Sequence, residues 1–139
     1  MTENNPRSLK FIRLSLGLVY FWFGVLKFFP GMSPAEQLAM DTLERLTFHQ
    51  ISSHTGLLLL AIWETGMGLG LFIGRGLKPI CFLLFVHLGC TFSPLFLFPG
   101  QSFQHFPYSF TLIGQYIVKN LVYLGVVWLL WSQARALKE

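Results

Sequence analysis

Four long apolar stretches divide the chain, at residues 11–29, 57–73, 79–98 and 110–131. Each approaches the roughly 20 residues needed to cross a bilayer's hydrocarbon core as a helix. The second is the shortest and the richest in glycine. The pattern predicts an all-α fold: an integral membrane four-helix bundle, one transmembrane domain spanning 1–139.

The segment between the first two stretches has a different period. Ser33 suits an N-cap, Pro34 the first helical position and Glu36 the third, which together read as a capping box. Leu38, Leu43 and Leu46 then recur among Asp41, Glu44 and Arg45. This predicts a short amphipathic, interfacial helix over about 33–48 in the first outer loop. The second outer loop, Pro99 to Ser109, holds Phe103, His105, Phe106 and Tyr108 and no formal charge. Uncharged aromatics suit a loop that dips into headgroups or folds over the mouth of the bundle.

Composition agrees with a membrane solvent. Hydrophobic residues make up 53% of the chain and charged ones 12%, about half the charge a soluble domain carries (about 25%). The net charge of +4 sits mostly at span ends. Arg7, Lys10, Arg13, Arg75, Lys78, Arg135 and Lys138 flank one side of the bundle, and the loops of the other side carry only Arg45. The positive-inside rule then places both termini in the cytoplasm. No basic patch with interleaved aromatics appears, so no nucleic-acid partner is expected. The first apolar stretch is too long for a signal-peptide core, which predicts a retained first helix. Cys81 and Cys90, nine residues apart on one predicted helix, point to nearly opposite faces and cannot pair with each other.

Polar residues inside spans are costly and call for a reason. Lys27, Glu64, His87 and Lys119 are the ionisable ones, accompanied by Thr91, Gln115 and Asn120. Counting about 1.5 Å per residue puts Lys27 near the outer boundary, Glu64 and Lys119 at similar depth and His87 near the midplane. On the first span Arg13, Gly17, Tyr20, Gly24 and Lys27 form one small-and-polar stripe. Glu64 is the only acidic residue in any span, so a Glu64–Lys119 ion pair is expected, with His87 hydrogen-bonded to Glu64 and Lys27 reaching down or snorkelling outward. The set Lys27, Glu64, His87, Thr91, Gln115, Lys119 and Asn120 is therefore the candidate polar binding cluster. It reads either as a pocket for an anionic or quinone-like headgroup, as a proton relay, or as a polar lock fixing helix register. Gly66, Gly70 and Gly74 form GxxxGxxxG on another face, which permits close helix approach.

No phosphate-binding loop, nucleophile elbow or paired-histidine zinc motif occurs, and the four histidines are scattered. No catalytic residue and no metal ligand set is predicted, and self-contained enzyme chemistry is not expected.

Four segments carry a family resemblance: FWFGVLKFFPGMSPAEQLA, LLAIWETGMGLGLFIGR, FVHLGCTFSPLFLFP and TLIGQYIVKNLVYLG. Together they resemble the DoxX-like membrane proteins, in particular the branch near the YkgB-type inner-membrane proteins, over nearly the whole chain after residue 10. The motif residues matched are Lys27, Phe28, Ser33, Pro34, Glu36, Glu64, Thr91, Pro94, Gln115, Tyr116, Lys119 and Asn120. Where that pattern often has an acidic residue before Gly114, this chain has Ile113. The resemblance implies a multi-pass protein of the bacterial inner membrane, an accessory or quinone- or lipid-interacting subunit of a redox or oxidative-stress system. It leaves room for a homo-oligomer or a larger membrane complex. The alternatives are an assembly subunit with a buried polar lock and a small transporter or proton conduit.

Overall fold

The computed structural model describes residues 6–33 and 36–136. Helix α1 runs Pro6–Leu26, α2 Glu36–Leu46, α3 Ser53–Ile73 and α4 Leu77–Phe92. Short helices α5 (Pro94–Leu97) and α6 (Pro99–Ser102) lead into a hairpin of β1 (Phe103–His105) and β2 (Ser109–Phe110), then α7 (Leu112–Val118) and α8 (Asn120–Ala136). Among the described residues four units are long and apolar enough to cross a membrane: Pro6–Leu26, Ser53–Ile73, Leu77–Leu97 and Leu112–Ala134. The protein is thus an all-α four-helix bundle with the character of a multi-pass membrane protein. Its inner face joins Leu16 and Tyr20 of α1, Met67 and Leu71 of α3, Cys81, Leu84 and Leu88 of α4, and Val127 and Leu130 of α8. Its outer face is apolar too, with Phe11, Trp22, Phe82 and Trp128 exposed, as a lipid-facing surface requires.

The helices run antiparallel in chain order, which gives the bundle two ends. The terminal end holds residues 6–13, the 74–76 turn and the last turn of α8. The loop end holds α2 and the hairpin. Ser52 caps α3 by accepting from the Thr55 backbone N–H, and Gly74 closes it in the left-handed region at φ 74°. The Arg13 guanidinium packs directly on Gly74, beside the carbonyl-rich end of α3 where a cation is favoured.

The α1–α3 seam is the closest in the bundle, and its glycines are not those of the GxxxGxxxG run. A Cβ on Gly68 would come within 2.5 Å of the Phe21 backbone nitrogen, and one on Gly24 within 2.5 Å of that of Thr65. Gly66 faces open space, Gly70 faces the Ile80 side chain and Gly74 is the helix cap. The GxxxGxxxG face is thus not the one that meets α1, where backbones approach through Gly17, Gly24 and Gly68. The α1 stripe from Arg13 to Lys27 is the face that meets α3.

Antiparallel pairing of Gly17 with Leu71 and Gly24 with Thr65 offsets the two helices. Helix α1 therefore ends level with the middle of α3. It tightens there, with Lys27 N–H bonding Gly24 O at 3.2 Å and Phe28 N–H bonding Val25 O at 3.1 Å, and Gly31 turns the chain at φ 76°. Helix α2 then takes α1's place beside the loop-end half of α3. It is shorter than the predicted 33–48, and residues 34–35 of the expected capping box lie outside the described residues. The Glu36 carboxylate accepts from the Gly31 backbone N–H at 3.0 Å. Leu38 and Thr42 are buried, Leu43 lies over Gly56, and the Arg45 guanidinium sits over the Phe98 ring at 5.6 Å. Glu44 accepts from Ser53 Oγ at 2.7 Å and bonds His49 Nδ1 at 3.0 Å. The Ser53 hydroxyl and then His49 hold its carboxyl below the ordinary range.

The second loop is built rather than plain. Ser102 is fully buried, its hydroxyl donating to Pro94 O at 3.2 Å and its carbonyl accepting from Thr111 N–H at 3.0 Å. Gly114 presses on that same carbonyl, where no Cβ fits. The hairpin thereby docks on the start of α7, with Phe103 between Phe106 and Phe110 at ring separations of 5.1 and 4.9 Å. Lys138, used above for orientation, lies outside the described residues.

Candidate functional site

Three helices converge on one carboxylate. Glu64 lies at the middle of α3, with its side chain 8% exposed. Its Oε2 accepts from Lys27 Nζ at 2.6 Å, and its Oε1 bonds His87 Nε2 of α4 at 3.0 Å. The second ring nitrogen of His87, Nδ1, lies 3.3 Å from the Tyr20 hydroxyl of α1. A ring with its proton on Nε2 satisfies both contacts: it donates to Glu64 and accepts from Tyr20. The result is a continuous line, Lys27–Glu64–His87–Tyr20, with Lys27 only 10% and His87 only 11% exposed. Thr91 supports it from the next turn of α4, its hydroxyl donating to His87 O at 2.9 Å.

Local sequence explains the convergence. Lys27 follows the last helical residue of α1, and the tightened turn aims its ammonium back across the seam; it also donates to Phe23 O at 3.4 Å. Gly24 brings the α1 backbone against Thr65 and Glu64, close enough for the lysine to reach. Tyr20 lies one turn beyond Gly24 along the same stripe. His87 is one of the groups on α4 that faces α3 as Ile80 and Leu83 do, seven and four residues earlier.

Two residues absent from the predicted cluster belong to the site. Tyr20 closes the line, and its place on the α1 stripe was the available signal. Trp63 packs edge-on against the His87 ring at 6.4 Å and donates from Nε1 to Met67 Sδ at 3.1 Å. No sequence pattern marks it beyond its position next to Glu64. With Met67, Gly66, Ile62, Ile80 and Leu83 it lines an open apolar groove of about 340 Å³ between α3 and α4. This groove runs from the His87 level toward the terminal end.

The other predicted members separate from this group. Lys119 does not pair with Glu64: it is exposed, and its ammonium lies over the Tyr116 ring at 4.1 Å. Gln115 is exposed and Asn120 half-buried, and neither bonds the Lys27–Glu64–His87–Tyr20 line. Helix offset is the physical reason. Phe85 of α4 packs on Trp128 and Trp131 of α8, so Lys119 lies about 10–15 Å nearer the loop end than His87, at about 1.5 Å per residue. Lys27, conversely, is not a snorkelling anchor near the boundary but comes level with mid-α3. The polar line thus sits at mid-length of the bundle rather than in its outer half.

Among the described residues no group of three histidine, cysteine or acidic side chains could hold a metal ion. Cys81 is buried and Cys90 exposed, both as free thiols. No family model, no curated protein and no solved structure matches the chain.

Proposed function

We propose that this chain is an accessory, quinone-interacting subunit of a membrane redox or oxidative-stress system, of the DoxX-like type its motifs resemble. It lies in the bacterial inner membrane with both termini cytoplasmic. The observation that carries this reading is the meeting of an apolar groove with a buried polar line at Trp63. A groove of this kind accepts an isoprenoid or acyl tail along Gly66 and Ile80. The tail's head would then meet the Trp63 ring, behind which stand His87 and Glu64. The depth favours a quinone ring over a phospholipid headgroup. A neutral carbonyl-bearing ring can lie at the middle of the bilayer and accept hydrogen bonds there, whereas a phosphate belongs at the interface. The donors for such a carbonyl are the Trp63 indole N–H on the groove wall and the His87 Nε2–H on exchanging its Glu64 partner; Glu64, an acceptor only, orients the imidazole, and Lys27 balances its charge.

Titrating a short-chain ubiquinone analogue into the purified protein in micelles, read by intrinsic tryptophan fluorescence, tests this. Glu64→Gln and His87→Gln should each weaken binding about tenfold, the size of one charge-assisted hydrogen bond. Unchanged affinity in Glu64→Gln would sink the reading.

A second reading, the polar lock, is favoured by a specific observation: both Glu64 oxygens already have partners within the chain. An open conduit is disfavoured, because Leu16, Leu71, Leu84 and Leu130 fill the bundle on the terminal side of the line.

A further inference from the structure

Lys119 is a cation on the lipid-facing surface of a membrane span. The carboxylates among the described residues are all engaged elsewhere. Glu36 holds the Gly31 N–H, Asp41 the Gln37 amide, Glu44 Ser53 and His49, and Glu64 Lys27 and His87. None of them reaches Lys119, whose ammonium lies over the Tyr116 ring.

Position says what kind of anion completes it. Lys119 lies about 10–15 Å from the mid-length polar line, close to the half-thickness of a hydrocarbon core of about 30 Å. Its side chain runs toward the loop end, over Tyr116 one turn nearer that end, in the direction a lysine takes when it snorkels toward headgroup phosphates. Gln115, four residues before Lys119, and Tyr116, whose ring lies under the ammonium, are both exposed and offer an amide and a phenol to the same stretch of surface. Leu112, 67% exposed, and Val122, likewise 67%, flank the polar patch with lipid-facing apolar surface. A cation with two neutral donors, open to lipid at headgroup depth and bordered by acyl-compatible side chains, has the charge and shape of a phospholipid site.

We infer that Lys119, Gln115 and Tyr116 form a binding site for the phosphate of an anionic phospholipid in the leaflet at the loop end, separate from the buried Lys27–Glu64–His87 line. The ammonium supplies the charge, and Tyr116 holds it in place by a cation–π contact. Selectivity for an anionic lipid over a zwitterionic one follows, because the choline of a zwitterionic headgroup brings a second positive charge to the patch.

The test uses the full chain in nanodiscs of equal phosphatidylglycerol and phosphatidylcholine, released and weighed by native mass spectrometry. Wild type should retain phosphatidylglycerol preferentially. Lys119→Met and Lys119→Gln should each lower that preference about tenfold, Lys119→Arg should keep it, and Lys10→Met at the other end should leave it unchanged. Equal retention of the two lipids by wild type overturns the proposal. So does an unchanged preference in both neutral variants, or a wild-type dimer that Lys119→Met dissociates, which would assign the patch to a protein carboxylate instead.

Discussion

Glu64 commits one oxygen to a cation and the other to an imidazole, so its neighbours are not equivalent. Removing Lys27 alone strands a buried carboxylate with half its partners, a change that costs about 3–5 kcal/mol when a buried pair is broken from one side. Neutralising both partners avoids that penalty. In a Lys27→Met, Glu64→Gln double variant the amide oxygen still accepts from His87 Nε2, and no charge remains to be desolvated. Thermal unfolding in micelles should therefore rank Lys27→Met well below the double variant, with the double variant near wild type. Equal losses in the two would mean that Lys27 acts through its packed stem rather than its charge. The same pair of proteins separates the two functional readings: a stable double variant that still binds the quinone analogue as wild type does would leave the polar lock as the better account.

At the scale of elements, the register between α1 and α3 does most to place the site, and it depends on small residues. The Gly68 and Gly24 contacts leave no room for a methyl group, with the facing atoms belonging to backbone. Gly68→Ala should force the helices apart and lower stability by about 1–3 kcal/mol, as overpacking does. Gly66→Ala, two residues away, meets nothing within 4 Å and should be neutral or slightly stabilising, because alanine is the better helix former. Reversible unfolding in mixed micelles compares the two. A Gly68→Ala protein as stable as Gly66→Ala would remove the seam from this role. The α1 stripe was legible in the sequence because helical periodicity alone puts Gly17, Tyr20, Gly24 and Lys27 on one face. The partner face on α3 was not. The spacing of Gly66, Gly70 and Gly74 satisfies a packing motif, yet helix rotation is set by the neighbours, which turn Gly68 inward instead. The hairpin at 103–110 was hidden for a related reason: its strands are too short for an alternating pattern, and its anchor is a single buried serine.

Over the whole molecule, the four spans could be read from hydropathy because each is long enough to declare itself. Their vertical offsets could not, since no span's sequence states how far it slides along its neighbour. That offset moved Lys27 from the boundary to mid-length and moved Lys119 out to the lipid surface, dividing one predicted cluster into a buried line and an exposed cation. The remaining global quantity is direction across the bilayer, which rests on charge. The terminal end carries Arg7, Lys10, Arg13, Arg75 and Lys78, while α2 at the loop end brings Glu36, Asp41 and Glu44 with Arg45. Translocating the basic end would work against the positive-inside bias. Ser8 and His105 are exposed at opposite ends of the bundle, which makes direction measurable. In a Cys81→Ala, Cys90→Ala background, a membrane-impermeant maleimide added to intact bacterial cells whose outer membrane is permeabilised should modify His105→Cys. The same reagent should reach Ser8→Cys only after the inner membrane is disrupted. The reverse pattern would invert the protein and place the phospholipid patch of Lys119 in the cytoplasmic leaflet. Modification of both in intact cells would mean mixed insertion, which a charge asymmetry this one-sided argues against.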